Sequence, residues 1–341
     1  MNFKNRTLGE IIQFKNGKKR PQEDGQYPVY GGNGILGYSK EANYCNCIAI
    51  GRVGAYCGSV YYEPESCWIS DNAIVALPKE GVDIRYTYYL LKSAHLNRRH
   101  IGTGQPLLTQ DILNRIECAV PSLQDQKRIS SVLWLLDEKI TENQRINNNL
   151  LEQAQAIYTS MFISNADPSW QQGRLSDLIT VRYGKDHKKL ADGAYPVYGS
   201  GGIMRYAERP LYEKESVLIP RKGTLNNVMY VNEPFWSVDT MFYTEMRMPN
   251  VAKFVYHFVK SKDLASLNAG SAVPSMTTDI LNAMELLIPS ESALAEFESI
   301  VAPMYRAIKD NDIQVAQLAK LRDSLLPKLM SGELDVSEVG I

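Results

Sequence analysis

A stretch of twelve residues occurs twice in this chain. DGQYPVYGGNGI, from Asp24 to Ile35, returns as DGAYPVYGSGGI from Asp192 to Ile203, with nine positions identical and a separation of 168 residues. The same separation recurs near the end of each half. There Pro106, Thr109, Asp111, Ile112, Leu113, Asn114, Glu117 and Pro121 stand against Pro274, Thr277, Asp279, Ile280, Leu281, Asn282, Glu285 and Pro289. Between these blocks Trp68 and Asp71 match Trp236 and Asp239, while Arg52 and Gly54 meet Arg221 and Gly223 after a one-residue slip, which loops absorb readily. Self-similarity of this kind means that one structural plan is used twice. The 341 residues are enough for two such halves of ordinary domain size.

Composition removes several classes. A hydrophobic fraction of 44% with 22% charged residues is that of ordinary globular chains, which excludes long disorder. No apolar run approaches the roughly 20 residues of a membrane span, and MNFKNRTLGE lacks the apolar stretch of a signal peptide. A cytoplasmic protein without a membrane partner is the expectation. Five cysteines, an odd number, read as reduced thiols rather than a disulfide framework. The net charge of -1 excludes a uniformly basic coat but leaves the local distribution of charge open.

Each half opens with an apolar-polar stretch, Leu8 to Phe14 and Leu175 to Val181, followed by a loop rich in Gly and Lys. Cys47 to Ile50, Ala73 to Leu77, Ser216 to Ile219 and Met241 to Thr244 read as strands, being β-branched or apolar runs between Gly, Pro and Asn. Arg85 to Leu96 and Val251 to Leu264 read as helices by their three-and-four spacing. The fold class is therefore α+β.

Ser122 to Phe162 contains neither Gly nor Pro and reads as one long helix. Ile129, Leu133, Leu136, Ile140, Asn143, Asn147, Leu150, Ala154, Ile157 and Met161 trace a heptad seam along it. Phe297, Val301, Met304, Ile308, Asn311, Val315, Leu318, Arg322, Leu325 and Leu329 trace a second. At about 1.5 Å per residue such a helix spans about 60 Å, which suits a spacer or docking rod. Asn143 and Asn311 share a seam position, where a buried amide fixes register at some cost in stability; the competing expectation is that both face solvent. Pro303 and Pro327 are expected to kink or break the second helix. Two similar domains, each followed by a long helix that packs antiparallel against the other, form a pseudo-twofold arrangement, and two separated reading heads suit a bipartite duplex site.

These residues resemble the specificity subunits of type I restriction-modification systems over nearly the whole chain. The carriers are the duplicated layout, LGEIIQFKNGK at Leu8 to Lys18, YPVYGGNGILGY at Tyr27 to Tyr38, LTQDILNRIECAVPSLQDQKRI at Leu108 to Ile129 and LRDSLLPKLMSGELDV at Leu321 to Val336. The second approach, PSESALAEFESI at Pro289 to Ile300, lacks the Gln124, Gln126 and Arg128 pattern of the first. The resemblance implies a target recognition domain over 1–121, a spacer and docking helix over 122–163, a second recognition domain over 164–289, a second helix over 290–332, and an acidic tail over 333–341. It further implies a non-catalytic subunit that binds an interrupted duplex DNA site, one half per domain, and docks two methyltransferase subunits, with restriction subunits as an optional further partner. S-adenosylmethionine is then expected on the methyltransferase partner, and no cofactor on this chain. Ile129, Leu133, Leu136, Ile140, Leu150 and Ile157 of the first helix, with Val301, Ile308, Leu318, Leu325 and Leu329 of the second, are the expected docking residues. A scaffold that docks partners without reading DNA is the alternative.

DNA affinity comes from phosphate neutralisation and sequence choice from side chains at base edges. Lys15, Lys18, Lys19 and Arg20 cluster before the first YPVYGG segment, and Lys185, Lys188 and Lys189 occupy the corresponding loop of the second half. Arg52 in GRVG and Arg221 in PRKG, with Lys222 beside it, lie next to glycines; they either contact DNA or pair with Asp71 and Asp239. Asn33 and Ser200 differ within a shared scaffold and are candidates for half-site reading. Gln105, whose counterpart is Val273, can read adenine, whereas Thr109 and Thr277 with Asp111 and Asp279 read better as helix caps. Tyr30 and Tyr198 read as core residues rather than DNA contacts.

Cys45, Cys47, Cys57 and Cys67 invite a zinc site, but their counterparts in the other half are not thiols, so small buried thiols are the preferred reading and no metal is expected. Phosphate-loop, zinc-protease and nucleophile-elbow motifs are missing, as is the Asn/Asp-Pro-Pro-aromatic tetrapeptide of amino-methyltransferases. His95, His100, His187 and His257 have no matching histidines in the opposite half.

Overall fold

The computed structural model describes residues 1–102, 104–267 and 275–336. The chain divides into two compact units, one of Met1–Gln144 with Asp312–Ile341 and one of Arg145–Asn311.

In the first unit a six-stranded sheet runs in the order Ile12–Asn16, Ala73–Pro78, Tyr44–Gly51, Val60–Ile69, Tyr27–Gly31, Gly34–Ser39. All neighbours are antiparallel except Tyr27–Gly31 beside Val60–Ile69, which pair in parallel through Val29 with Trp68 and Tyr30 with Ile69. Ala73, Ile74, Val75 and Ala76 are all fully buried because this central strand is covered on both faces. One face carries Ile12, Phe14, Ile48 and Ile74 against Tyr86, Tyr89, Leu90 and Leu91 of the helix Ile84–Ser93. The other gathers Tyr30, Cys47, Ala49, Cys67 and Ile69. Asp83 caps that helix by accepting from the Tyr86 amide at 2.8 Å, and it also accepts from Ser130 Oγ at 2.9 Å.

The second unit repeats these pairings. Ile179–Tyr183, Met241–Met246, Ser216–Pro220 and Met229–Val231 form one sheet, and Gly202–Ala207, Asp192–Gly199 and Trp236–Ser237 another. The difference lies in one strand. In the first unit Val60–Ile69 serves both the main sheet and the hairpin, with Pro64 lodged at a bulge opposite Asn46, where the register slips between Cys45 and Cys47. The second unit has only Phe235 between Pro234 and Trp236, too short a run to resume pairing, so the strand is split into two.

The anticipated strands at Cys47, Ala73, Ser216 and Met241 are all present, and the two shorter helices form at Ile84–Ser93 and Ala252–Lys260. The long helices run over Leu123–Thr159, continued by a π-helical turn at Ser160–Ser164, and over Glu291–Ser331. The expected break at Pro303 and Pro327 does not occur, since the second helix is continuous through both. Both prolines face solvent, so the missing N–H at each leaves a carbonyl one turn back that water can satisfy.

Within each unit the helix segments lie antiparallel. In the first unit Arg322 Nη1 meets Asp137 Oδ1 at 2.6 Å and Asn143 Nδ2 donates to Gln314 Oε1 at 2.5 Å. In the second unit Asn311 Nδ2 donates to Asn147 Oδ1 at 2.8 Å, and Asn147 Nδ2 donates to the Ile308 carbonyl at 3.3 Å. Asn143 is 1% exposed, so the register-fixing role is the one realised there and the solvent-facing expectation falls. No helix among the described residues is long and apolar enough to cross a membrane.

Candidate nucleic-acid interface

In each unit three loops are knitted together by hydrogen bonds to backbone carbonyls that recur at matching positions in the two halves. In the first, the Arg52 amide donates to Asn72 O at 3.0 Å, Leu108 N donates to Arg52 O at 2.9 Å, and Ser59 Oγ donates to Gly32 O at the hairpin tip. In the second, the Arg221 amide donates to Thr240 O at 2.9 Å, Met276 N donates to Arg221 O at 2.9 Å, and Asn227 Nδ2 donates to Ser200 O at 2.8 Å. The arginine loop, the hairpin tip and the segment before the capping threonine therefore form one cluster per unit. Asn33 is exposed at one tip and Ser200 half-buried at the other.

The basic loops are anchored just as regularly. Lys18 N donates to Ile69 O and Lys185 N to Ser237 O, at 3.0 and 2.8 Å, while the matched tryptophans Trp68 and Trp236 donate through Nε1 to Lys18 O and Lys185 O. Gly17 and Gly184 stand one residue earlier, where a Cβ would come within about 2 Å of the Ser70 and Val238 carbonyls; neither position tolerates a side chain. The Lys15, Lys18, Lys19, Lys185, Lys188 and Lys189 side chains are all exposed, as are Lys222 and Gln105. In the second loop Asp186 accepts from the Lys188 amide at 3.0 Å, and this bond holds its carboxyl below the usual carboxylate range.

Arg20 is placed differently from its lysine neighbours. Its Nη1 donates to Leu36 O at 3.3 Å and its Nη2 lies 3.8 Å from Asp24, so it braces the hairpin. Neither Arg52 nor Arg221 pairs with the matched aspartates, which corrects the salt-bridge alternative. Arg221 Nη1 donates instead to the Asp239 carbonyl at 3.2 Å, with its guanidinium 5.3 Å from the centre of the Tyr183 ring. Arg52 Nε is buried with no hydrogen-bond partner. Tyr183 is a residue that sequence reasoning missed: it projects half-exposed beside Arg221, but the repeat sets it against Asn16 and no motif marks it.

Thr109 and Thr277 are helix caps, accepting from Ile112 N and Ile280 N at 3.3 Å each. Tyr30 is buried and donates to Glu63 Oε2 at 3.0 Å, and burial drives its phenol pKa well upward. Tyr198 makes the matching bond to Glu233 at 3.2 Å. Both tyrosines thus tie the hairpin to the glutamate that precedes a proline on the neighbouring strand. Cys47 and Cys67 are buried thiols with sulfurs 3.6 Å apart, Cys57 donates to Arg52 O, and Cys45 is exposed. Val273 lies outside the described residues.

Four of the expected docking residues need correction. Ile129, Leu133 and Leu329 are buried in the core of the first unit and Val301 in that of the second, leaving no surface for a partner. Leu136, Ile140, Leu150, Ile157, Ile308, Leu318 and Leu325 are half-buried along the same seams. Both seams are used up inside the chain because a heptad stripe is what two facing helices bury. Among the described residues, the large apolar side chains that the helices and the π-helical turn leave open are Leu123, Leu135, Ile163, Ile300, Ile313 and Leu321.

A family model described as the type I restriction modification DNA specificity domain matches residues 1–152 and again residues 168–314. The chain is similar to the type I restriction enzyme MjaIX specificity subunit of Methanocaldococcus jannaschii, with 27% identity over 77% of this chain and 72% of that one. It is also similar to a Mycoplasma pneumoniae chain described as a putative type I specificity subunit, with 24% identity over 96% of both. Its fold resembles the crystal structure of a type I restriction-modification S subunit from M. genitalium, with a TM-score of 0.66 and 20% identity over 98% of this chain and 97% of that one.

Proposed function

This chain belongs to the type I restriction-modification DNA specificity family, and from that premise we propose that each of its halves reads one part of an interrupted duplex DNA sequence. It is the specificity subunit of such a system, and the chemistry belongs to other subunits. The observation that carries the two-part reading is the recurrence of one loop cluster, in which arginine loop, hairpin tip and the segment before the capping threonine are joined at matching positions, inside two separately matched family domains. Exposed lysines of the basic loops supply phosphate contacts, which set affinity and register without reading bases. Asn33, Ser200, Gln105 and the two arginines sit where the halves diverge or leave a donor open, and they face base edges or the adjoining phosphates.

In this reading residues 1–121 and 164–289 are the recognition domains, and the long helices over 122–163 and 290–332 hold them and dock two methyltransferase subunits. S-adenosylmethionine is carried by those partners, restriction subunits join when the system cleaves, and the complex works in the cytoplasm. The test is domain exchange. Replacing residues 164–289 by those of another specificity subunit, followed by mapping of methylated adenines in cells, should change one part of a split motif and leave the other intact. A change in both parts, or a continuous motif, would overturn the proposal.

A further inference from the structure

Each unit holds one polar layer between its helices, and the two layers are built from different residues at the same repeat positions. In the first unit the buried Tyr89 hydroxyl donates to Asp137 Oδ2 at 2.6 Å, and Arg322 Nη1 meets Asp137 Oδ1 at 2.6 Å. In the second, His257 Nδ1 donates to Gln155 Oε1 at 2.8 Å, and its Nε2 accepts from the Tyr305 hydroxyl at 2.9 Å. At the separation of 168 residues Tyr89 matches His257, Asp137 matches Tyr305, and Ala154 and Gln155 match Arg322 and Asp323. Each layer thus ties the short helix and the long helix of one sequence half to the long helix of the other half.

Size and charge are distributed oppositely in the two layers. The first sets the short Asp137 against the long Arg322; the second has the large Tyr305 where Asp137 stands and, where Arg322 stands, Ala154, which is fully buried in that core. A pair built from two first halves would put Asp137 with Ala154, leaving a largely buried carboxylate without its cation and a hole in place of the guanidinium. A pair built from two second halves would put Arg322 with Tyr305 and His257, two large side chains in a layer that holds one, and a guanidinium parted from Asp137. Arg322 also holds Asp323 at 2.7 Å, but that carboxylate lies on the same helix and is 65% exposed, so it travels with Arg322 and selects no partner. The seam amides do not discriminate either: Asn143 is met by Gln314 and its match Asn311 by Asn147, so each long helix brings an amide that can serve the other helix or a second copy of itself.

We infer that these layers are a pairing code: through Tyr89, Asp137 and Arg322 in one unit and His257, Tyr305 and Gln155 in the other, each sequence half accepts the other half and rejects a second copy of itself. The divergence at these positions carries the inference, because a plain duplication yields two halves that pair with themselves as readily as with each other. Polar groups placed in a helix seam choose partners in this way by penalising the wrong one. The consequence is that like halves from two copies of this chain do not exchange helices. The inference stands on packing alone and is independent of what the domains read.

The test uses the full chain with a protease site inserted between Asn165, which is exposed, and Ala166. The folded chain is cut, loosened in urea and returned to buffer, and native mass spectrometry counts mixed pairs against pairs of like pieces. The parent is expected to return about ten mixed pairs or more for each like pair, the ratio that about 1.4 kcal/mol of discrimination produces. Two recoded chains then make the second half compatible with itself by independent routes. His257→Tyr/Tyr305→Asp gives it the tyrosine and carboxylate that receive Arg322 in the first unit, and Arg322→Ala/Asp323→Gln gives it the small residue and amide that stand beside His257 in the second. Each is expected to raise the share of like pairs of the C-terminal piece about tenfold over the parent, a gain that mere loss of a stabilising contact does not produce. A gain in either one supports the code, so a single variant that fails to fold leaves the other to decide. Like and mixed pairs in statistical proportion in the parent, parent pieces that separate on cutting, or no gain of like pairs in either recoded chain would overturn the inference.

Discussion

Lys253 is only 4% exposed on its side chain and stands between two carboxylates, with Glu215 at 3.0 Å and Glu298 of the second long helix at 2.8 Å. The rings of Tyr230 and Tyr305 lie 5.0 and 5.5 Å from its ammonium, and Tyr230 donates to Glu215. Replacing Lys253 by Met keeps the stem volume but leaves two carboxylates facing one another with no cation. Breaking a buried pair in this way costs about 3–5 kcal/mol. The glutamate side chains retain 30% and 24% exposure, so water relieves part of the repulsion and the lower figure, about 3 kcal/mol, applies. For a unit of this size that is a fall in Tm of roughly 6–12 °C. Calorimetry and urea unfolding of the full chain measure it. The triple variant Glu215→Gln/Lys253→Met/Glu298→Gln, which removes every charge at once, should recover most of the loss. A single variant within about 0.5 kcal/mol of the parent, or a triple variant as unstable as the single one, would refute the claim that charge balance rather than packing holds this helix to the rod.

Other expectations follow from the same geometry. His257, 1% exposed, is held between Gln155 at 2.8 Å and Tyr305 at 2.9 Å, and burial pushes its pKa down to about 4. Because the unfolded chain binds the proton first, this residue's contribution, about 3 kcal/mol, is complete above about pH 6.5 and is lost as pH falls towards about 4; His257→Gln should flatten the stability profile in that window, as pH-dependent urea melts would reveal. Lys188→Gln should weaken binding to all duplexes alike and reduce the slope of log affinity against log salt by about 0.9, a change that fluorescence titration resolves. Gly17→Ala should displace the first basic loop and Gly184→Ala the second, so that methylation mapping shows loss of discrimination in one part of the site only; a variant that blurs both parts would contradict the independence of the loops.

Much of this architecture was legible because its signals are local. The twelve-residue repeat, the absence of Gly and Pro over 122–162, and the runs at Cys47, Ala73, Ser216 and Met241 each report on a single element. What escaped notice arises where distant segments meet. Tyr183 acquires meaning only when Arg221 folds over it, and His257 only when Gln155 and Tyr305 close around it. The prolines misled for a related reason, since their cost to a helix depends on whether water reaches the carbonyl they abandon. Ile129, Leu133, Val301 and Leu329 lie in the cores of their own units and not at a docking face, because a heptad stripe says that a face is buried without saying by what. Arg85 and Lys253 show the same limit: they match at a separation of 168 residues, yet one guanidinium stacks 4.4 Å from the Trp134 ring while the other cation bridges carboxylates.

Arg20 braces the first hairpin from upstream, whereas the second is braced from within by Arg205, which stands at the position matching Gly37 and donates to Leu190 O at 2.7 Å; this exchanged arginine origin sets a rule for recombining such halves. A crossover that moved the Gly34–Ser39 strand alone into the second half would bring Gly37 without the upstream arginine that fills it. The reciprocal graft would deliver Arg205 into a space Arg20 already occupies. Chimeras should therefore remain viable when the junction keeps the basic loop and the hairpin together, as residues 17–39 or 184–207, and should lose the hairpin's brace when it separates them. The smallest exchangeable piece of this protein is larger than the motif that betrays the repeat.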